Sequence, residues 1–281
     1  MVDDFIVTLT IAVFALRLIC MAKTKVIVVA TPLGRTGSSA MMGLLKLSGV
    51  NVGNKTKLFA PSPINPKGFF ELVSQQKFLE QVYTGIYPEL SIPPSLNRLQ
   101  YLGKLYCQDY LKLVKNEFGN ASVIAVKSPR FLTIPFLYEL REQLDVRVIV
   151  MNRKLEDQVS SILRVWQNSN EPTKKYATRE FVSEWIVSWR RYSQHVQNGY
   201  DLKYLQIEFD DLIINPLVSM EQVTQFIGIN CPSKRKITRF IEPDLVNRSV
   251  LTNPSTQLSK FKSFLNSPKY ILTKINRMFK F

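Results

Sequence analysis

Residues 26–49, VIVVATPLGRTGSSAMMGLLKLSG, constrain the fold of this chain more than any other stretch. The opening Val26-Ile27-Val28-Val29 is a β-branched run suited to a strand buried on both faces. Thr31-Pro32-Leu33-Gly34-Arg35-Thr36-Gly37 then interrupts regular structure and supplies two glycines for a tight turn. Ser38 or Ser39 can cap the segment that follows, Ala40 through Leu47, whose apolar residues on every side predict a helix wedged against a sheet. A strand, a glycine turn and a hydroxyl-rich helix start make an anion cradle, because free N–H groups and the positive end of the helix dipole point at one spot. The Walker A pattern requires Lys directly after its last glycine, and Ser38 stands there, so an ordinary NTPase site is disfavoured. A βα turn with no ligand also fits the loop, and the rest of the chain has to decide.

The net charge of +15 over 281 residues, with pI ≈ 9.7, calls for anionic partners: nucleotide phosphates, an acidic saccharide or anionic lipid headgroups. No helix-turn-helix, zinc-finger or RNP pattern accompanies it, so nucleic acid is not expected. The length suits one large α/β domain. Cys20, Cys107 and Cys231 are widely spaced with no CxxC pair, which argues against a disulfide framework or zinc site and for a reducing, cytoplasmic setting. His195 is the single histidine, which excludes a multi-histidine metal centre, and no metal is expected.

Downstream, Pro61, Pro63 and Pro66 fix an irregular loop that ends Asn65-Pro66-Lys67-Gly68-Phe69-Phe70-Glu71-Leu72. A carboxylate at Glu71, flanked by aromatics, is partly desolvated and suited to general-base work, although a helix-capping Glu after a turn reads the same way. Apolar spacing predicts a helix over 98–118, ended by Gly119-Asn120, with Tyr101, Tyr106 and Tyr110 as core or cleft wall. Ser122–Val126 is a second buried strand that delivers Lys127-Ser128-Pro129-Arg130 at its C-terminal end, where ligands of open α/β sheets gather. Leu132–Leu144 reads as helix and Val146–Met151 as a third strand. Arg153 follows that strand and Ser161 lies eight positions later, two turns into a helix, so both can converge on one phosphate across the βα turn. Phe181–Val196 is a helix with Trp185 and Trp189 on its core face, and His195 near its polar end is a bystander. Lys203–Ile207 is a fourth strand, and Leu217–Ile227 a helix stopped by Gly228.

Both ends are distinct. Residues 1–22 form an apolar extension, but Arg17 breaks the run and Asp3-Asp4 stand where a signal peptide carries positive charge. A weak membrane anchor and a translation start at Met21 both fit. The α/β domain is placed at residues 23–255. The basic, aromatic tail at 256–281 is either loosely ordered or a peripheral contact with anionic membrane.

Arg35-Thr36-Gly37-Ser38-Ser39 resembles the phosphosulfate loop of the PAPS-dependent sulfotransferases, R/K-[ST]-G-[ST]-[ST], in which a basic residue before the glycine replaces the Walker Lys. The NPKGFFE segment, KSPR, Arg153-x7-Ser161 and the EFDDL…FIG passage resemble that family's further motifs in the same order, over about residues 25–250. The likeness is to bacterial-type, carbohydrate or glycolipid sulfotransferases. It implies a P-loop-like three-layer α/β sandwich with a central, mostly parallel sheet of 4–5 strands. It also implies 3′-phosphoadenosine 5′-phosphosulfate (PAPS) as co-substrate, held by Arg35, Thr36, Gly37, Ser38, Ser39, Arg153 and Ser161, and a catalytic set of Glu71, Lys127 and Arg35. The acceptor is then a small molecule, glycan or lipid. Two departures stand out: Pro129 occupies the position of the histidine base in cytosolic members, which leaves Glu71 as base, and the R-K-G triplet is missing, with Arg248 a candidate to serve the cofactor instead. Two other functions remain open from the residues: a P-loop kinase, and a non-catalytic basic protein that binds lipid or nucleic acid through its tail.

Overall fold

The computed structural model describes residues 23–62, 65–84, 93–167 and 177–241. The apolar extension at 1–22, Arg248 and the basic tail at 256–281 lie outside the described residues.

Strand β1, Thr24–Thr31, is the centre of the fold. It pairs in parallel with β2, Val123–Pro129, on one side and with β3, Leu144–Asn152, on the other, and β3 pairs in parallel with β4, Lys203–Glu208. Among the described residues the sheet therefore has four strands, all parallel, in the order β2-β1-β3-β4. Because side chains alternate along a strand, Val26, Val28 and Ala30 enter one hydrophobic cluster while Ile27 and Val29 enter another on the opposite face. All five are completely buried, and each Val or Ile removed from water contributes about 1.5–3 kcal/mol.

Helices cover both faces. Against the Ile27 face pack α1, Ser38–Leu47, then α7, Phe209–Ile214, α8, Pro216–Ile227, and α9, Lys234–Phe240. Against the Val26 face pack α2, Val73–Val82, α3, Leu96–Phe118, α4, Ile134–Glu139, α5, Leu155–Gln167, and α6, Arg179–Gly199. The expected three-layer α/β sandwich is thus present. Among the described residues no helix is long and apolar enough to cross a membrane.

Two expected boundaries shift. The helix predicted over 132–144 shrinks to α4, because Leu144 is drawn into β3 opposite Thr24 and Arg130 and Phe131 both turn the chain at positive φ. Strand β2 runs on through Lys127 to Pro129, which pairs with Thr31; a proline is tolerated there as the last residue of an edge strand.

The chain leaves β1 for β2 on one side and afterwards reaches β3 on the other. The C-terminal end of β1 is therefore a topological switch point, where open α/β sheets form a crevice.

Candidate active site

The loop after β1 lies at that switch point, and its backbone faces are sorted. The Thr31 hydroxyl donates to the Leu33 carbonyl and is 2.8 Å from the Thr36 hydroxyl. Gln158 Nε2 donates to the Gly34 carbonyl at 2.9 Å, and Arg153 Nη1 donates to the Arg35 carbonyl at 3.1 Å. Arg35 is held at φ 69° and Gly37 at φ 84°, both in the left-handed region. Gly37, in place of Ser38 or Ser39, is the N-cap of α1, and no side chain caps that helix; Ser38 is already its first residue. The first-turn N–H groups of α1 are thus left for an external anion.

Ser39 points instead to a second centre. Its hydroxyl accepts from Asn65 Nδ2 at 2.9 Å and lies 3.3 Å from the ammonium of Lys127. Lys127 Nζ donates to the Phe69 carbonyl at 2.9 Å and forms an ion pair with Glu71 Oε1 at 2.6 Å. The Lys127 side chain is 5% exposed and that of Glu71 28%, so the cation is anchored inside while the carboxylate reaches the cavity. The aromatic shielding expected from Phe69 and Phe70 is only part of Glu71's surroundings, since its carboxylate is also paired with the Lys127 ammonium. Behind Lys127, Gln75 Nε2 donates to its carbonyl at 2.7 Å, and the buried Tyr110 hydroxyl donates to Gln75 Oε1 at 2.9 Å. Burial holds the Tyr110 phenol well above its ordinary range, so it stays a proton-bearing donor.

Arg35, Arg153 and Ser161 form the third group. Arg35 Nε donates to Ser161 Oγ at 3.0 Å, so Arg35 links the two residues expected to share one phosphate. The Arg153 guanidinium stacks over Phe209, 4.8 Å from the ring centroid, and the edge of the same ring presses against Gly37. Burial pushes the Arg35 and Arg153 guanidiniums below their ordinary range, and mutual repulsion with Arg164 adds to it; Asp157 and Asp210 partly offset this at Arg153. Arginine nevertheless keeps its proton, so the site concentrates positive charge where the cradle N–H groups also point.

These groups line one cavity of about 600 Å³. Gly34, Arg35, Gly37–Ser39, Glu71, Lys127 and Arg153 all contribute to it, while its apolar walls include Leu79, Trp166 and Trp185 from one face of the sheet and Phe209, Ile213 and Phe240 from the other. Ser161, 2% exposed, is one shell back behind Arg35, and buried Thr36 turns to Thr31. His195 is exposed on α6, away from the cavity. Among the described residues no cluster of three or more His, Cys, Asp or Glu suited to a metal ion occurs.

The sequence reading did not single out Phe209, Gln158, Arg190, Asn65 or Gln75 as site residues. Gln158 carried one usable signal, a polar side chain three residues before Ser161 on the buried side of α5. Phe209 carried none, since its role arises from a fold that brings residue 209 against residue 37.

No curated protein matches the sequence at a significant level. Solved structures with similar architecture include the sulfotransferase STF1 from Mycobacterium tuberculosis H37Rv (17% identity over 78% of this chain and 70% of that one, TM-score 0.42). The sulfotransferase STF9 from Mycobacterium avium is 12% identical, with 79% and 68% covered and TM-score 0.40. The sulfotransferase domain of the Synechococcus PCC 7002 olefin synthase is 16% identical, with 88% and 96% covered and TM-score 0.43. The sulfotransferase-domain family matches residues 23–270, nearly the whole chain, and the protein belongs to that family.

Proposed function

We propose that the chain transfers the sulfuryl group of PAPS to a hydroxyl or amine of an acceptor, a carbohydrate or glycolipid, by in-line displacement with Glu71 as base. The observation that carries this reading is the contact between Lys127 and both Glu71 and Ser39, which ties a proton acceptor to the anion cradle at one point. The donor's chemistry fits the residues present. Two anionic groups need two basic sites, and the cradle with Arg35 provides one while Arg153, with Ser161 behind it, provides the other.

Bound PAPS supplies the sulfuryl group; the S–O bond to the phosphate breaks as an S–O bond to an acceptor hydroxyl, or an S–N bond to an acceptor amine, forms. Glu71 takes the acceptor proton. Lys127 and Arg35, with the α1 N–H groups, donate to the oxygens on which negative charge develops, an arrangement already in place before reaction. Thr36, Gly37 and Ser38 shape the cradle, and Ser39 keeps Lys127 directed at it. The high positive charge also suits a peripheral position on anionic membrane and an intracellular setting with PAPS at hand.

The test is isothermal calorimetry with 3′-phosphoadenosine 5′-phosphate (PAP), the desulfated product. Arg35→Ala and Arg153→Ala should each abolish binding, while ATP should fail to compete in the unaltered protein. Normal PAP binding by both variants defeats the assignment.

A further inference from the structure

An anion cradle works only if its carbonyl oxygens are turned away, since a carbonyl facing a phosphate repels it as strongly as an N–H attracts it. Three successive carbonyls, of Leu33, Gly34 and Arg35, lie at the apex of the loop after β1, and each accepts from a side chain: Thr31, Gln158 and Arg153 respectively. Thr31 belongs to the strand itself and Arg153 faces the cavity, so both have other reasons to be present. Gln158 does not line the cavity, is 1% exposed, and has both its amide nitrogen and its amide oxygen engaged. Its Nε2 donates to Gly34 at 2.9 Å, and its Oε1 accepts from Arg190 Nη2, also at 2.9 Å. The same Arg190 nitrogen donates to the carbonyl of Arg153.

We infer that Gln158 and Arg190 form a brace that sets the donor site, with Gln158 as a positioning residue acting through the Gly34 carbonyl. Arg190 on α6 fixes which way the Gln158 amide faces, because its donor demands the amide oxygen and thereby presents the amide N–H₂ to the loop. Through its second contact it anchors the backbone of Arg153, so one guanidinium couples the loop after β1 to the loop after β3. The brace also explains how Arg35, a non-glycine residue, is kept at φ 69°: the carbonyls on both sides of its φ/ψ pair, Gly34 and Arg35, are each held in place. This inference rests on the reading of the loop as the donor site.

The experiment measures PAP affinity by calorimetry and steady-state kinetics with PAPS in the full chain, for Gln158→Met, Gln158→Glu, Arg190→Lys and Arg190→Met. Gln158→Met removes the donor at similar volume. Gln158→Glu keeps the shape and the contact with Arg190 but presents oxygen to the Gly34 carbonyl, which keeps the question answerable if the Met variant folds poorly. Both should weaken PAP about tenfold and raise KM for PAPS to match, with kcat at saturating donor and KM for the acceptor within about twofold. Arg190→Lys, which retains a donor, should show a smaller loss than Arg190→Met. If PAP affinity is unchanged in the Gln158 variants while Arg35→Ala abolishes it, the brace is refuted and the donor site stands. If Arg35→Ala also binds normally, the donor-site reading itself falls. A loss of kcat with donor affinity intact would equally overturn the brace.

Discussion

Gly37 sits where two demands meet, and replacing it with Ala tests both at once. Its φ of 84° lies in the left-handed region, which costs an L-residue roughly 1–2 kcal/mol. A Cβ there would stand 2.6 Å from Phe209 Cε2 and closer still to Cδ2, far inside van der Waals contact. Phe209 cannot swing freely, because it is buried and the Arg153 guanidinium lies over its ring. Overpacking of this kind adds about 1–3 kcal/mol, so Gly37→Ala should destabilise the fold by about 2–5 kcal/mol in urea denaturation. A double-mutant cycle with Phe209→Ala separates the two contributions. Phe209→Ala alone should cost about 3–5 kcal/mol as a buried aromatic deletion, but it should cost about 1–3 kcal/mol less in the Gly37→Ala background, where it also relieves the clash. The backbone contribution should survive in the double variant. Additivity within about 0.5 kcal/mol would refute the claim that Phe209 is what makes glycine necessary.

Three further outcomes follow from the same geometry. Glu71→Gln keeps the shape and should leave PAP affinity intact in calorimetry while turnover of labelled PAPS falls by about 10²-fold or more; unchanged turnover would remove Glu71 as base. Lys127→Met should lower kcat by about 10²–10³-fold, because a preorganised cation beside Ser39 and Glu71 is lost, and a rate within threefold of normal would show that Lys127 only supports the loop. Gly103→Ala tests packing far from the site. A Cβ there would meet the Pro135 carbonyl oxygen at 2.9 Å where α3 crosses α4, so the overpacking of about 1–3 kcal/mol should outweigh the helix-propensity gain of about 1 kcal/mol and lower the unfolding free energy from urea denaturation by up to about 2 kcal/mol.

What the residues alone revealed depended on the range of the interactions concerned. Val26–Val29 announced β1 because burial on both faces demands an unbroken apolar run, and Lys127 and Arg153 could be placed because strand ends of parallel sheets converge. The N-cap of α1 could not be read in the same way. Ser38 and Ser39 have the right chemistry, but the left-handed Gly37 takes the position and Ser39 is drawn off by Asn65 and Lys127. Leu132–Leu144 carried a helical pattern throughout, yet β-pairing with Thr24 captured its last residue. The hydrogen bond from Arg35 to Ser161 joins the loop after β1 to the interior of α5, and nothing local in either segment indicates which partner the serine takes.

The strand order has a consequence for how this site comes into being. Lys25 in β1 pairs with Val123 and Thr24 with Leu144, so the central strand waits about a hundred residues for its first neighbour, and each closure of so long a loop must be met before any pairing rewards it. During synthesis the apolar run Val26–Ala30 therefore spends a long interval without a ladder, and of the three cradle carbonyls only that of Leu33 has its partner nearby in sequence. Gln158 and Arg190 arrive later still, and Phe209 last of the groups that touch the loop. A chain released at residue 200 would contain Arg35, Lys127 and Arg153 yet lack β4 and the ring that seats Gly37. Donor affinity should therefore emerge in one late step of synthesis, and ribosome-bound chains of increasing length would show when it does.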